Sequence, residues 1–373
     1  MLFRSLAVAA LAAVVSAHIG PWGPGMYCRN GLSVEDNDQN TNENANPLFK
    51  KDMNGFWFHG DCRNFPPPEG EFMELPAGGS VQLELAGNRG QTTLSYGSTG
   101  SIRQSGRMAD VSTRSSRMGR GTTPATPNLH AKNHDDTAGT VLMISYNSDI
   151  NDVTPDNLVV ISVLANSPWK RLVEYDIPAD LPGCDDCICG WSWVPNNCGT
   201  PNMYMTGFKC KVTNARPDAP AIAPPQTPQW CEDDESKCVK GAKKMIIWNQ
   251  DPSINNVDTY TGNQPPQKDG QARSPGYNMK MGFQPGAQND IFVSSASQPS
   301  STDVPPSTEV PPSSSSEPSS PTETPAPTSS PTPDPSASCS AFRRSGHRKH
   351  QRRLLSFAGF HISVDSQDPS DDE

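Results

Sequence analysis

Short apolar runs, each closed by turn-forming residues, set the pattern of this chain. Residues 80–85 read Ser-Val-Gln-Leu-Glu-Leu, an alternation that gives a strand one apolar and one polar face. Aliphatic and β-branched runs recur at 140–146, 158–164, 172–175, 203–212 and 244–248, and such residues favour strands. Between them lie Pro76-Ala77-Gly78-Gly79, Asn147-Ser148-Asp149 and Pro182-Gly183, which are turn material. Apolar residues at helical spacing are scarce. The pattern predicts an all-β protein: an immunoglobulin-like antiparallel β-sandwich with long disulfide-pinned loops, followed by a disordered tail.

Three stretches depart from the strand pattern. Residues 34–47, dense in Asn and Asp, and 97–126, rich in Gly, Ser, Thr and Arg, read as loops. The second has few apolar side chains to anchor it and is expected to be mobile. Residues 215–229 (ARPDAPAIAPPQTPQ) are Pro-rich yet run into Cys231 and Cys238, which suits an extended segment wrapping the sandwich.

Composition then divides the chain. Residues 1–17 carry Arg4, an apolar run from Leu6 to Val15, and small residues at Val15-Ser16-Ala17, the form of a secretory leader cut after Ala17. Residues 18–292 hold nearly all the remaining apolar content and are expected to form one folded domain. Residues 293–338 are mostly Ser, Pro and Thr, a linker that cannot bury enough surface to offset its chain entropy. Residues 339–373 hold a basic knot from Arg343 to Arg353 and an acidic end. This is read as a solvated tail, with attraction to acidic wall polysaccharide or trimming at dibasic sites as the sharper alternatives.

The net charge of −10, with no basic stripe carrying interleaved aromatics, excludes nucleic acid as a partner. No stretch after the leader approaches the roughly 20 apolar residues that cross a bilayer. The expectation is a secreted, extracellular monomer without a membrane span. Ten cysteines in such a chain read as a disulfide framework of undetermined pairing. Nine fall within residues 18–292, which leaves one free or paired with Cys339. The cluster Cys184, Cys187, Cys189 and Cys198 also admits a zinc knuckle, but no histidine lies nearby to complete it.

Leader removal would leave His18 as the first residue, with a free amine and an imidazole able to grip one metal ion in a chelate ring. An α-amino group, with a reference pKa of about 7.7 against about 10.4 for lysine, sheds its proton readily to bind metal. These two nitrogens plus one more imidazole make a tetragonal nitrogen set that suits Cu(II). The second imidazole must come from His59, His130 or His134. His130 and His134 share a polar loop before the run at 140–146, where rigid strands support binding sites. His59, between Trp57-Phe58 and Asp61-Cys62, suits a core cluster better.

The set Gly25-Met26-Tyr27-Cys28, Trp57-Phe58-His59-Gly60 and Leu129-His130 with Asn133 resembles the lytic polysaccharide monooxygenases of auxiliary activity family fourteen. Ser167-Pro168-Trp169-Lys170-Arg171, Cys189-Gly190-Trp191 and Asn202-Met203-Tyr204-Met205 before Cys210 extend the likeness across most of residues 18–290. The resemblance implies a copper enzyme with a histidine brace: His18 by amine and side chain, His130 as second histidine in preference to His134, and Tyr204 in the axial position. It further implies oxidative cleavage of plant cell-wall polysaccharide, xylan associated with cellulose, using an external electron donor and dioxygen or hydrogen peroxide. Asn202, two residues before Tyr204, stands where some lytic monooxygenases carry glutamine, and is a candidate to steer the oxygen species. Trp22, Tyr27 and Trp169 are either sugar-stacking aromatics or core. Residues 102–120 look longer than the family pattern, which bears on the substrate surface. The alternative function is a non-catalytic copper-binding protein of the cell surface that uses the same brace.

Overall fold

The computed structural model of the chain describes residues 18–95, 131, 134–196, 202–258 and 273–293. The leader, the loop at 97–126 with its segment 102–120, His130, Cys198, the linker and the tail lie outside the described residues. Nine strands are present among them: β1 (Gly20–Trp22), β2 (Met73–Pro76), β3 (Ser80–Ala86), β4 (Thr140–Ser145), β5 (Val159–Leu164), β6 (Leu172–Asp176), β7 (Cys184–Trp193), β8 (Tyr204–Thr213) and β9 (Gly286–Ala287). The one α-helical turn, α1 (Met53–Phe56), is capped by the Asp52 side chain accepting from the Gly55 N–H.

The strands form two sheets, β1-β3-β6 and β2-β8-β7-β4-β5-β9. This is the expected all-β sandwich, with one departure: β2 runs parallel to β8 while the other strand pairs are antiparallel. Between the sheets, Leu83, Leu85 and Tyr175 of the small sheet pack on Leu142, Ile161, Trp191, Trp193, Tyr204 and Phe208 of the large one. The opposite face of the large sheet is buried as well. There Met143, Val160, Ile188 and Met205 pack against Phe56, Phe58, Ile246, Trp248 and Phe283 from the loops. Burial on both faces explains why the runs at 140–146 and 158–164 are continuously apolar, whereas β6, exposed at every second residue, alternates.

Five of the six predicted strands form. The run at 244–248 does not, although it is buried. Its backbone amides find side-chain partners in place of a ladder: Ile246 N donates to Tyr277 Oη (3.2 Å), Ile247 N to Asn256 Oδ1 (2.8 Å) and Trp248 N to Met203 Sδ (3.1 Å). An apolar run needs satisfied amides as well as burial, and nothing requires those partners to be backbone. Residues 215–229 do wrap the sandwich, through Ala223 N to Ile291 O (2.9 Å) and Gln226 N to Ala242 O (2.9 Å).

Four disulfides are described: Cys28–Cys62, Cys184–Cys187, Cys189–Cys210 and Cys231–Cys238. They exclude the zinc knuckle, because Cys184, Cys187 and Cys189 are committed to sulfur–sulfur bonds and cannot act as thiolates. Those residues instead open β7, which with β8 is the longest strand described. Gly190 of β7 pairs with Gly207 of β8, and a methyl group added at Gly207 would lie 2.9 Å from the Phe58 ring. The bare backbone there lets Phe58 sit directly on the sheet.

Candidate metal centre

Strand register assembles one end of the sandwich. Gly20 pairs with Ala86, which carries His18 to the far end of β3, where a methyl group at Gly87 would come within 3.0 Å of the His18 carbonyl oxygen. Leu85 N donates to Arg171 O (2.6 Å), so the segment leading into β6 lies beside that end of β3. Thr140 Oγ1, at the start of β4, donates to Ser167 Oγ (2.9 Å) of the same segment. Across the large sheet, Thr140 pairs with Trp193 and Trp193 with Tyr204. His18, the start of β4 and Tyr204 therefore share one end of the sandwich.

His18 is partly buried, and loss of water around the ring lowers its pKa, which favours the neutral imidazole that a metal requires. Tyr204 opens β8 and is fully buried, its ring stacked on Trp193 at 4.7 Å between centroids and 19° between planes. Neither the Tyr204 hydroxyl nor the Asn202 carboxamide oxygen makes a well-formed hydrogen bond among the described residues. Burial drives the phenol's pKa far upward. The side chain of Asn202, within hydrogen-bonding reach of the phenol, pulls it partly back. A buried hydroxyl without a well-formed hydrogen bond costs about 1–3 kcal/mol. A neutral phenol in a dry setting is a weak donor.

His134 sits in a single 3-10 turn, His134–Asp136, before β4. Its Nδ1 lies 2.8 Å from Asp135 Oδ1, its carbonyl accepts from Thr137 Oγ1 (2.8 Å) and Asn166 Nδ2 (3.2 Å), and Trp169 meets its ring edge-on at 6.2 Å. His59 is a structural residue. Its Nδ1 donates to Met205 O (3.2 Å), and burial lowers its pKa to about 4. Trp22 and Tyr27 are core, 1% and 3% exposed, and Trp169 is partly buried against the same core, so the first two are no sugar platform.

A polar network that periodicity could not reveal supports this end. Tyr175 Oη accepts from Trp191 Nε1 (2.7 Å) and bonds to Thr140 Oγ1 (2.6 Å), all in the interior. Arg171 forms a buried ion pair with Glu84 of β3, and Thr93 N donates to the same carboxylate (2.9 Å). The only sequence signal for the ion pair was Arg171 itself, at the end of Ser167-Pro168-Trp169-Lys170-Arg171.

The all-β sandwich and the motifs it carries point to the class of lytic polysaccharide monooxygenases. The family described as lytic polysaccharide monooxygenase AA14 matches residues 1–368. The chain belongs to this family. It is 31% identical over 304 residues to an AA14 family lytic polysaccharide monooxygenase B of Pycnoporus cinnabarinus, covering 78% of this chain and 74% of that one. It is 33% identical over 321 residues to an AA14 family lytic polysaccharide monooxygenase A of Trametes coccinea, covering 79% and 68%. A third relative, an AA14 family lytic polysaccharide monooxygenase B of Talaromyces rugulosus, is 35% identical over 289 residues, 75% of this chain and 94% of that one.

Proposed function

We propose that this enzyme is secreted and copper-dependent, with the metal held by the amine and imidazole of His18, the imidazole of His130 and, axially, the phenol of Tyr204. The observation that carries the reading is the fully buried Tyr204 phenol, stacked on Trp193 at the end of the sandwich where His18 lies. His130 is placed ahead of His134 as second imidazole by its Leu129-His130 context with Asn133, which the family pattern favours. Bound copper would supply one-electron chemistry with an oxygen co-substrate, strong enough to take hydrogen from a sugar C–H bond.

The chain's own residues would then do three things. Trp193, stacked on Tyr204, fixes the phenol ring, and the raised pKa keeps its proton on the oxygen. The lowered pKa of His18 keeps its ring free to bind. Asn202, its carboxamide oxygen unpaired beside Tyr204, orients the oxygen species.

The proposed substrate is plant cell-wall polysaccharide, xylan associated with cellulose, with an external electron donor and dioxygen or hydrogen peroxide as co-substrates. Composition supports a division into leader 1–17, catalytic domain 18–292, linker 293–338 and tail 339–373, in a monomeric extracellular protein. Among the described residues no helix is long and apolar enough to cross a membrane.

Secretion from a eukaryotic host, amino-terminal sequencing, Cu(II) titration and product analysis on xylan, cellulose and xylan-coated cellulose test the reading. The expected outcome is a chain starting at His18, tight copper and oxidised sugars from the mixed substrate. Any other first residue removes the brace. Tight copper with no oxidised product from any polysaccharide would instead make the chain the surface copper carrier.

A further inference from the structure

A concave region lies along the β5–β9 edge of the large sheet, lined by none of the residues proposed to hold copper. A cavity of about 330 Å³ opens there, at the lower end of the range for small-molecule sites. The Cys231–Cys238 disulfide and Gly282 stiffen one wall: Gly282 has φ +72°, and a methyl group there would meet Cys238 Cβ at 3.1 Å. Gln288, 4% exposed, lines another wall and is held by Nε2 donating to Gln284 O (2.8 Å) and Gly286 O (3.0 Å).

Into this cavity faces Lys243, only 3% exposed. Lysines are almost never buried unless paired, yet the Lys243 ammonium forms no ion pair among the described residues. One of its three N–H groups goes to Gly241 O (2.9 Å), and the Phe283 ring lies 5.8 Å away. Burial lowers its pKa and so does Lys240, while Asp290 opposes them. Asp290 acts on it from a distance, without a direct ion pair among the described residues, and its Oδ2 accepts the Gly241 N–H at 2.8 Å. The cavity lining thus combines a desolvated ammonium with Lys240, Asp290, Glu235 and the exposed side chain of Met279.

We propose that this cavity binds a sugar acid, with the ligand carboxylate on Lys243 and Lys240 and its hydroxyls donating to Asp290 and Glu235. Two carboxylates among the lining groups disfavour a multiply charged anion such as phosphate and suit a monoanion with many hydroxyls. The Met279 side chain offers an apolar surface for the C–H side of such a ligand. Two sources share this chemistry, a uronic acid substituent on a wall polysaccharide and an open-chain sugar acid formed by oxidation of a chain end.

The test is calorimetric titration of the copper-free secreted protein, full chain, with D-glucuronate, D-gluconate and D-glucose. Copper-free protein keeps the result independent of the brace, so this proposal and the metal assignment fail separately. At least one acid is expected to bind, with glucose at least tenfold weaker. Preference for glucuronate assigns the uronic substituent, and preference for gluconate the oxidised end. Lys243→Met should weaken acid binding at least tenfold while leaving the melting temperature unchanged or raised, because it removes an unpaired buried charge. If that variant does not fold, Lys240→Gln at the exposed edge should still weaken the acid several-fold. No binding of either acid, equal binding of glucose, or an unaltered affinity in the folded Lys243 variant (or, failing that, in Lys240→Gln) overturns the proposal.

Discussion

Tyr175 and Tyr204 are both fully buried phenols packed into the same core between the sheets. Their surroundings differ in one respect. Tyr175 bonds to Trp191 and Thr140, joining β6 to the large sheet, and burial raises its pKa to about 12 even though those bonds pull it down. Tyr204 has a stacking partner and, in place of a set of well-formed hydrogen bonds, only the influence of Asn202 on its hydroxyl. A buried polar group whose bonds are complete holds the fold, whereas one left incomplete is kept at a cost that a ligand can offset. His59, bonded to Met205 and largely buried, is more deeply enclosed than the partly buried His18.

The comparison breaks first at His18. Replacing it with Ala, or retaining one extra residue before it, removes chelation and should weaken Cu(II) by about a thousandfold, roughly 4 kcal/mol, in isothermal titration. A loss under tenfold would mean that the brace is not built on His18. His59 comes next. Its pKa falls from 6.5 in the unfolded chain to about 4 in the fold, so the unfolded chain takes up the proton first as pH drops. The stabilisation is complete above pH 6.5 and is lost progressively down to pH 4, about 3 kcal/mol in all. His59→Asn, which tolerates the φ of +65° there, should flatten that part of the urea-denaturation pH profile. An unchanged profile would place the titration elsewhere.

Tyr175→Phe leaves the Trp191 N–H buried without an acceptor and should cost about 1–3 kcal/mol in denaturant unfolding. Tyr204→Phe loses no well-formed protein hydrogen bond, so its stability should change by less than about 1 kcal/mol. The electron paramagnetic resonance spectrum of its copper and its yield of oxidised product should nevertheless change. If the two phenylalanine variants cost the same stability, the distinction between complete and incomplete phenols fails.

Much of the sandwich was legible because half-buried strands carry their period in the sequence, as residues 80–85 do. β7 was not, because Cys184-Asp185-Asp186-Cys187-Ile188-Cys189 reads as a cysteine cluster and the rest of the strand is buried on both faces. The run at 244–248 misled in the other direction, since burial is visible in composition while the partner of each amide is not.

The sequence by itself determined the family and, through the leader, the prospect of a terminal histidine with its own amine, because cleavage signals and chelating groups are properties of contiguous residues. Only the tertiary structure decided that Tyr204 is dry and without a well-formed hydrogen bond, that Tyr175 is fully bonded, and that Lys243 is buried without a carboxylate. Those facts depend on which side chains from distant strands arrive within 3 Å of a polar atom. No local pattern encodes such an arrival.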